Sequence, residues 1–220
     1  DLHSFPTRRS SDLQLVKEFT KAAEIYDSEN AGIYELCKDD YLPILEELEQ
    51  RTFHDLLDVG CGTAPMIERL VEAYPDRHYT GIDLTPRMIA IAQEKALPNT
   101  QFVVGDSEDL PFETASFDAV ICANSFHHYP NPQRFFDGVY RVLRGGGRLV
   151  LRDYTAARPL LWLINHTEMP LANLLGHGDV RAYRLDQVAD FCRKAGLEPV
   201  VLEKRKGFRL HLVAEKPSEL

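Results

Sequence analysis

A glycine-rich turn between an apolar strand and a helix is the first feature of this sequence that could bind a ligand. Residues 53–65 read FHDLLDVGCGTAP, with a strand predicted over 54–59 and a helix predicted over 64–74. Because Gly60 and Gly62 carry no Cβ, the backbone can turn tightly there and lie against a nucleoside. The free amides at the helix start favour polar or anionic groups. We therefore expect a ligand that combines a ribose with a charged tail.

Two aspartates that follow the next two predicted strands extend this site. Asp83 comes about twenty residues after the glycine-rich turn, where a carboxylate can accept hydrogen bonds from both ribose hydroxyls. Asp106 can accept a hydrogen bond from an adenine amine, while the amide of Ser107 faces a ring nitrogen. Leu84 and Met88 would line the faces of the adenine, although core packing is an equally good interpretation of Met88. The pattern predicts an adenosine site.

A nicotinamide dinucleotide is a less favoured ligand for the same glycine-rich turn. The fingerprint Gly-x-Gly-x-x-Gly is incomplete, because Pro65 stands where the third glycine allows close packing of helix and strand. An NAD(P)-dependent oxidoreductase is therefore the weaker alternative.

The elements that position these residues alternate between strand and helix. This order predicts right-handed crossovers and a parallel sheet that is covered on both faces, a Rossmann-like α/β fold. Only residues 204–207 join the last two strands, which is too short for a crossover helix, so the last strand must be antiparallel. The glycines at 145–147 are expected to turn the chain into the fifth strand. The predicted strands are 54–59, 78–82, 101–104, 117–122, 148–152, 198–203 and 208–214.

Two further segments are expected to cover the ligand edge of the sheet. Apolar residues at helical spacing predict helices over 14–27 and 32–50, within a helical cap formed by residues 14–52. Residues 154–183 form an insertion that is unusually apolar for a loop. We expect this insertion to be a helical lid over an organic acceptor with an apolar body. Packing against the sheet or a second subunit is the alternative.

Composition limits the class of protein. The chain has 220 residues, 44% of them hydrophobic, and a formal charge of −9, so nucleic acid is not the expected partner. The cysteines contain no Cys-x-x-Cys pair, and neither a disulfide framework nor a metal site is expected. No apolar run is long enough to span a bilayer, and no signal peptide is visible. We expect a single cytoplasmic domain over residues 14–220 with an undetermined oligomeric state. The four cysteines are Cys37, Cys61, Cys122 and Cys192.

The first thirteen residues are not expected to be native. The segment DLHSFPTRRSSDL resembles the translation of a common sequencing adapter over its whole length. It is polar, contains Pro6 and shows no periodicity, so residues 1–13 are expected to be disordered.

Five segments together resemble the class I S-adenosylmethionine-dependent methyltransferases, within the group that includes the ubiquinone and menaquinone C-methyltransferases. They occur in the order typical of that family, and the predicted terminal hairpin resembles its seven-stranded sheet with a reversed last strand. The segments are LLDVGCGTA, GIDLTPRMI, VVGDSEDLPF, FDAVICANSFHHYPNP and VLRGGGRLVL.

The resemblance implies a role for each matching position and names S-adenosyl-L-methionine as the cofactor, with S-adenosyl-L-homocysteine as its product. Acidic residues around the site suit a cationic sulfonium and ammonium group. The implied positions are Asp58, Gly60, Cys61 and Gly62 for the methionine part, Asp83 for the ribose, Asp106 and Ser107 for the adenine, Asn124 and Ser125 near the sulfonium, and Tyr26 as a residue that closes over the cofactor.

Two adjacent histidines follow at the rim where an acceptor would approach. An imidazole titrates near neutral pH, so His127 or His128 can serve as a base for the acceptor. The alternative is that the histidines only shape the loop while positioning accounts for catalysis. A protein that binds the cofactor without transferring its methyl group also remains an open interpretation.

Overall fold

A seven-stranded sheet organises the part of the chain that the computed structural model describes, residues 10–23, 40–168, 170–171 and 181–218. Its strand order is β3-β2-β1-β4-β5-β7-β6. The first five strands pair in parallel, and β7 is antiparallel to both β5 and β6, which confirms the predicted hairpin. The strands are β1 Asp55–Val59, β2 His78–Asp83, β3 Thr100–Val104, β4 Phe117–Ala123, β5 Leu143–Tyr154, β6 Glu198–Arg205 and β7 Arg209–Glu215.

The described helices cover both faces of this sheet. Three of them begin at a proline, which is tolerated in the first turn because its missing N–H has no partner there. The helices are α1 Ser10–Ala22, α2 Tyr41–Glu49, α3 Pro65–Ala73, α4 Pro86–Glu94, α5 Pro132–Val142, α6 Arg158–Leu163 and α7 Leu185–Ala195. A 3₁₀ turn spans Phe126–His128, and a π-helical turn, Ile164–Glu168, continues α6.

The core has two layers, one on each face of the sheet. On one face, α5 and α7 bury Phe135, Phe136 and Val188 against the sheet. On the other face, Ile44 of α2 and Ile67 of α3 are fully buried. Strands buried on both faces cannot shift register without exposing apolar side chains, so the strand ends stay fixed relative to one another.

The fifth strand begins earlier than predicted. It starts at Leu143 rather than Arg148, and the three glycines lie inside it as an irregularity. Phe117 pairs with Leu143 and Ala119 pairs with Arg148, so the β5 side carries the extra residues. Gly146 has a positive φ of 79°, which a glycine adopts without steric cost.

The N-terminal region also differs from expectation. Helix α1 begins at Ser10, so residues 10–13 are helical although they belong to the segment predicted to be disordered. An acidic residue in the first turn, Asp12, favours a helix there because it faces the positive end of the helix dipole. Residues 1–9 and 24–39 lie outside the described residues, as do 172–180 of the predicted lid. The described part of that insertion contains α6 and the π-helical turn.

Candidate active site

The order of the sheet reverses between β1 and β4, and a cleft opens at the carboxyl ends of these strands. Such a switch point is where open α/β sheets bind their ligands. The cleft encloses about 690 Å³ when its open mouth is counted. The sequence-predicted residues that line it are Gly60, Gly62, Asp83, Leu84, Met88, Asp106, Ser107, Asn124, Ser125 and His128.

Gly60 forms the floor of the cleft in a conformation that side chains rarely adopt. Its φ is 75°, and its N–H donates to the carbonyl oxygen of Ile82 at 2.8 Å. A Cβ at this position would lie 1.9 Å from Oγ of Ser125. The residue must therefore be glycine for the β1 and β4 loops to approach this closely.

Asp83 joins the glycine-rich turn to the start of α4. One carboxylate oxygen accepts the N–H of Gly62 at 3.1 Å, and the other accepts the N–H of Thr85 at 2.8 Å. Burial raises the pKa of the Asp83 carboxyl, although these bonds and the Thr85 hydroxyl oppose the shift. The carboxylate is thus held at the cleft wall where a ribose clamp was predicted.

Asp58 and Cys61 do not line the cleft. Asp58 is buried behind the glycine-rich turn, and burial together with the Asp83 carboxylate raises its pKa to about 8. The Cys61 side chain belongs to the core cluster, where its sulfur would lie 2.8 Å from a Cβ added to Gly81. Only the backbone of Cys61 is left to serve the loop role that the sequence indicated.

The residues predicted to hold the adenine all line the cleft. Asp106 accepts the N–H of Glu108 at 2.8 Å, which fixes the turn after β3. Leu84 is half-buried, while Met88 is only 1% exposed and still borders the cleft. Met88 is therefore packed in the core and also borders the cleft, where contact with adenine stays a prediction.

Ser125 contacts a residue that was not predicted to belong to the site, Tyr129, whereas Asn124 contacts two charged residues. The buried Tyr129 hydroxyl lies 2.6 Å from Oγ of Ser125, and burial raises its pKa well above the usual value. Asn124 has a positive φ of 54°, and its side-chain amide donates to Asp40 at 3.0 Å and accepts from Arg209. Because charged groups hold its amide at both ends, the Asn124 side chain anchors the loop rather than pointing freely at a ligand.

The two histidines occupy different surroundings. His128 lines the cleft, and the ring of Phe19 from α1 meets it edge-on at 5.3 Å. His127 is not among the described residues that line the cleft; it contacts Asp153, which accepts from its backbone N–H at 3.1 Å and lies 2.9 Å from its Nδ1. Burial would raise the pKa of Asp153, but His127 lowers it below the usual value. Their rings are 3.9 Å apart.

Some site residues follow no local pattern, and one predicted residue is not described. Tyr26 lies outside the described residues. Phe19 was visible only as part of an apolar helical face, and Asp153 only as one residue after a predicted strand. Within the described residues, no group of three or more His, Cys, Asp or Glu could hold a metal ion, and no helix has both the length and the apolar character needed to cross a bilayer.

The acidic lining of the cleft suits an adenosyl group that carries a positively charged sulfonium. Three carboxylates from the strand ends and the following loop border the cleft, namely Asp83, Asp106 and Glu108, and the described lining contains no lysine or arginine. Such a field attracts a positively charged sulfonium. Fold and site together define a class I methyltransferase-type cofactor domain.

Comparisons with known proteins identify the family. A sequence model described as a methyltransferase domain matches residues 57–151. The chain is 32% identical over 188 residues to the ubiquinone/menaquinone biosynthesis C-methyltransferase UbiE of Agrobacterium fabrum, covering 77% of this chain and 71% of that protein. It is 43% identical over 99 residues to the phthiotriol/phenolphthiotriol dimycocerosates methyltransferase of Mycobacterium leprae, covering 44% of this chain and 37% of that protein. This chain belongs to the class I S-adenosylmethionine-dependent methyltransferases.

Family membership alone does not define the reaction or the substrate of this chain. The chain spans 37% to 59% of the length of three of the curated relatives it matches. Among solved structures, the [4+2]-cyclase SpnF superposes with a TM-score of 0.74 at 19% identity, covering 97% of this chain and 98% of that one. The same fold thus carries another named chemistry, so the reaction must be argued from the site.

Proposed function

We propose that this protein transfers a methyl group from S-adenosylmethionine to a small organic acceptor with an apolar body. The observation that carries the proposal is the set of carboxylates at the β2 and β3 ends, with Asp83 held by two backbone N–H groups beside a glycine floor. Asp83 takes the ribose hydroxyls, and Asp106 takes the adenine amine. We also propose a cytoplasmic location and no nucleic-acid partner, on the basis of the free buried cysteines and the charge of −9.

The test is a labelling experiment with a matched variant. Cell extract incubated with the protein and deuteromethyl-labelled S-adenosylmethionine should yield one metabolite that gains the label. Asp83→Asn should weaken S-adenosylhomocysteine binding by about 10- to 100-fold, because hydrogen bonds to a charged partner contribute roughly 1.5–3 kcal/mol. Calorimetry measures this loss. Asp109→Asn, an exposed change outside the cleft lining, is the control. Binding by Asp83→Asn at full strength would contradict the assignment.

We further propose that His127 removes the acceptor proton while Asp153 orients it. Asp153 accepts the backbone N–H of His127 at 3.1 Å and lies 2.9 Å from Nδ1 of the ring. The second contact orients the ring and favours a proton on Nδ1, so Nε2 would act as the base. His127→Gln should lower kcat by about 100-fold or more while the dissociation constant of S-adenosylhomocysteine stays the same. His128→Gln, which changes the cleft wall, should mainly weaken cofactor binding. The pH–rate profile of each variant measures the effect, and an unchanged kcat in His127→Gln would rule out this base.

Cofactor binding without methyl transfer is the second candidate. The structural similarity to a [4+2]-cyclase supports this candidate, because the name of that protein describes a reaction other than methyl transfer on the same fold. The labelling experiment separates the two: a protein that binds S-adenosylhomocysteine tightly and labels no metabolite has the second function.

A further inference from the structure

A second cavity lies between the described part of the predicted lid and the start of α7. It is formed between α6 with its π-helical continuation and the chain that leads into α7, and it encloses about 650 Å³ including its mouth. The backbone N–H of Arg181 donates to the carbonyl oxygen of His127 at 3.0 Å. The cavity therefore adjoins His127, whose ring lies 3.9 Å from the ring of His128, a residue that lines the cofactor cleft.

The charge of this cavity is opposite to that of the cofactor cleft. Arg181, Arg184 and His166 line it, and its described lining contains no carboxylate. The cofactor cleft carries acidic side chains and, within its described lining, no lysine or arginine. In a chain with a net charge of −9, a basic cavity next to an acidic cleft creates a local field that draws an anion to one side and a cation to the other.

The two arginines differ in how far their charge is already neutralised. Arg184 forms a two-pronged ion pair with Asp186, at 2.8 Å and 2.9 Å. In the described part of the chain, Arg181 forms no ion pair, and its guanidinium lies 5.9 Å from the centre of the Tyr183 ring. A guanidinium without a carboxylate partner can bind a planar anion through two parallel hydrogen bonds.

Hydrogen bonds and ring stacking hold the wall of this cavity in place. The side chain of Asn165 donates to the Ala182 carbonyl at 2.9 Å and accepts the Ala182 N–H at 3.0 Å, which fastens the π-helical turn to the segment that leads into α7. Trp162 stacks on His166 with ring centres 4.6 Å apart and planes 20° apart. Trp162 is 62% exposed, so this wall offers a flat apolar surface beside the arginines.

We propose that this basic cavity binds a carboxylate at the distal end of the methyl acceptor, whose apolar body lies on Trp162. The acceptor would extend from the cavity to the histidine pair, with the carboxylate on Arg181 and the methylated atom near His127. This inference rests on the proposed methyl transfer, and it adds the substrate class, an acid with an aromatic or alkyl body.

The single tryptophan of the chain reports directly on this cavity. Trp162 emission, excited at 295 nm in protein saturated with S-adenosylhomocysteine, is titrated with 3-phenylpropanoate and with its neutral isostere 3-phenylpropanamide. The carboxylate should shift the emission saturably and bind at least about 10-fold tighter than the amide, with the preference reduced at high salt. Arg181→Gln should remove the preference. Arg193→Gln, an exposed arginine of α7 paired with Asp190, should retain it.

The outcomes distinguish this inference from the proposed function. If the carboxylate leaves the emission unchanged, or binds no tighter than the amide, the cavity is not an anion site and the inference is wrong even when the cofactor binds. If Arg181→Gln keeps the preference, the assigned arginine is wrong. If S-adenosylhomocysteine does not bind at all by calorimetry, the methyl-transfer function fails, and the acceptor assignment fails with it.

Discussion

Gly60→Ala should lose nearly all measurable affinity for S-adenosylhomocysteine. We expect a larger loss from this substitution than from adding a methyl group at any other residue of the cofactor cleft. Two effects combine at this residue. Its φ of 75° strains any residue with a Cβ, at roughly 1–2 kcal/mol. The new Cβ would also lie 1.9 Å from Oγ and 2.5 Å from Cβ of Ser125, so a rotamer change of Ser125 cannot relieve the clash.

The backbone must therefore move, and the loop that holds the cofactor moves with it. Gly60 is tied to β2 by its hydrogen bond to Ile82, so the displacement separates the β1 loop from the β4 loop. An affinity loss of at least about 100-fold, or about 2.7 kcal/mol, is the expected result of calorimetry.

A second glycine provides a matched control for the strain alone. Gly207, in the β6–β7 turn, has the same φ of 75°, but a Cβ there would meet only Cγ of Arg209, at 3.9 Å. Gly207→Ala should lower the free energy of unfolding by roughly 1–2 kcal/mol and leave cofactor affinity unchanged. The double variant Gly60→Ala with Ser125→Gly removes both clashing atoms and should recover part of the binding. Full affinity in Gly60→Ala alone would show that the two loops are not closely packed in solution.

Local patterns account for the strand ends and the residues that follow them. Asp83 and Asp106 could be placed at the cleft because each stands at the carboxyl end of a predicted strand, and parallel strands bring their carboxyl ends to one edge. The antiparallel β7 followed from a connection too short for a crossover. The start of β5 was misplaced because glycines were interpreted as a turn, whereas the structure absorbs them in an irregular strand.

Residues whose partners are distant in sequence could not be predicted in this way. The Asn124 side chain is held by Asp40, 84 residues earlier, and by Arg209, 85 residues later. Asp153 is 26 residues from His127. The spacing of these residues in the sequence does not predict their contacts, because the tertiary fold brings them together. Asp58 shows the same limit: its position in the motif was clear, but its burial behind the turn was not.

The burial of Asp58 should make the free energy of unfolding depend on pH. Burial and then the Asp83 carboxylate raise its pKa from 3.8 to about 8 in the folded protein. The folded state thus retains a proton that the unfolded chain releases, so this group's contribution to stability is complete below pH 3.8 and is lost as the pH rises through about 8. The loss amounts to at most about 1.4 kcal/mol per pH unit within this range. Asp58→Asn should flatten this dependence and raise the free energy of unfolding at pH 9, measured by urea denaturation.

Cofactor binding should reverse the protonation of Asp58. A sulfonium and an ammonium group placed beside the glycine-rich turn favour the ionised carboxylate, so S-adenosylmethionine should bind more tightly as the pH rises toward 8 and should displace close to one proton at pH 7. Calorimetry in buffers with different ionisation enthalpies counts this proton. Asp58→Asn should release none, whereas Asp55→Asn, at the opposite end of β1, should behave like the wild type. A binding enthalpy that is independent of the buffer in the wild type would mean that Asp58 keeps the same protonation state in the free and the bound protein. The cost in stability at high pH and the gain in affinity for a cation would then no longer have a common origin in this one buried carboxyl group.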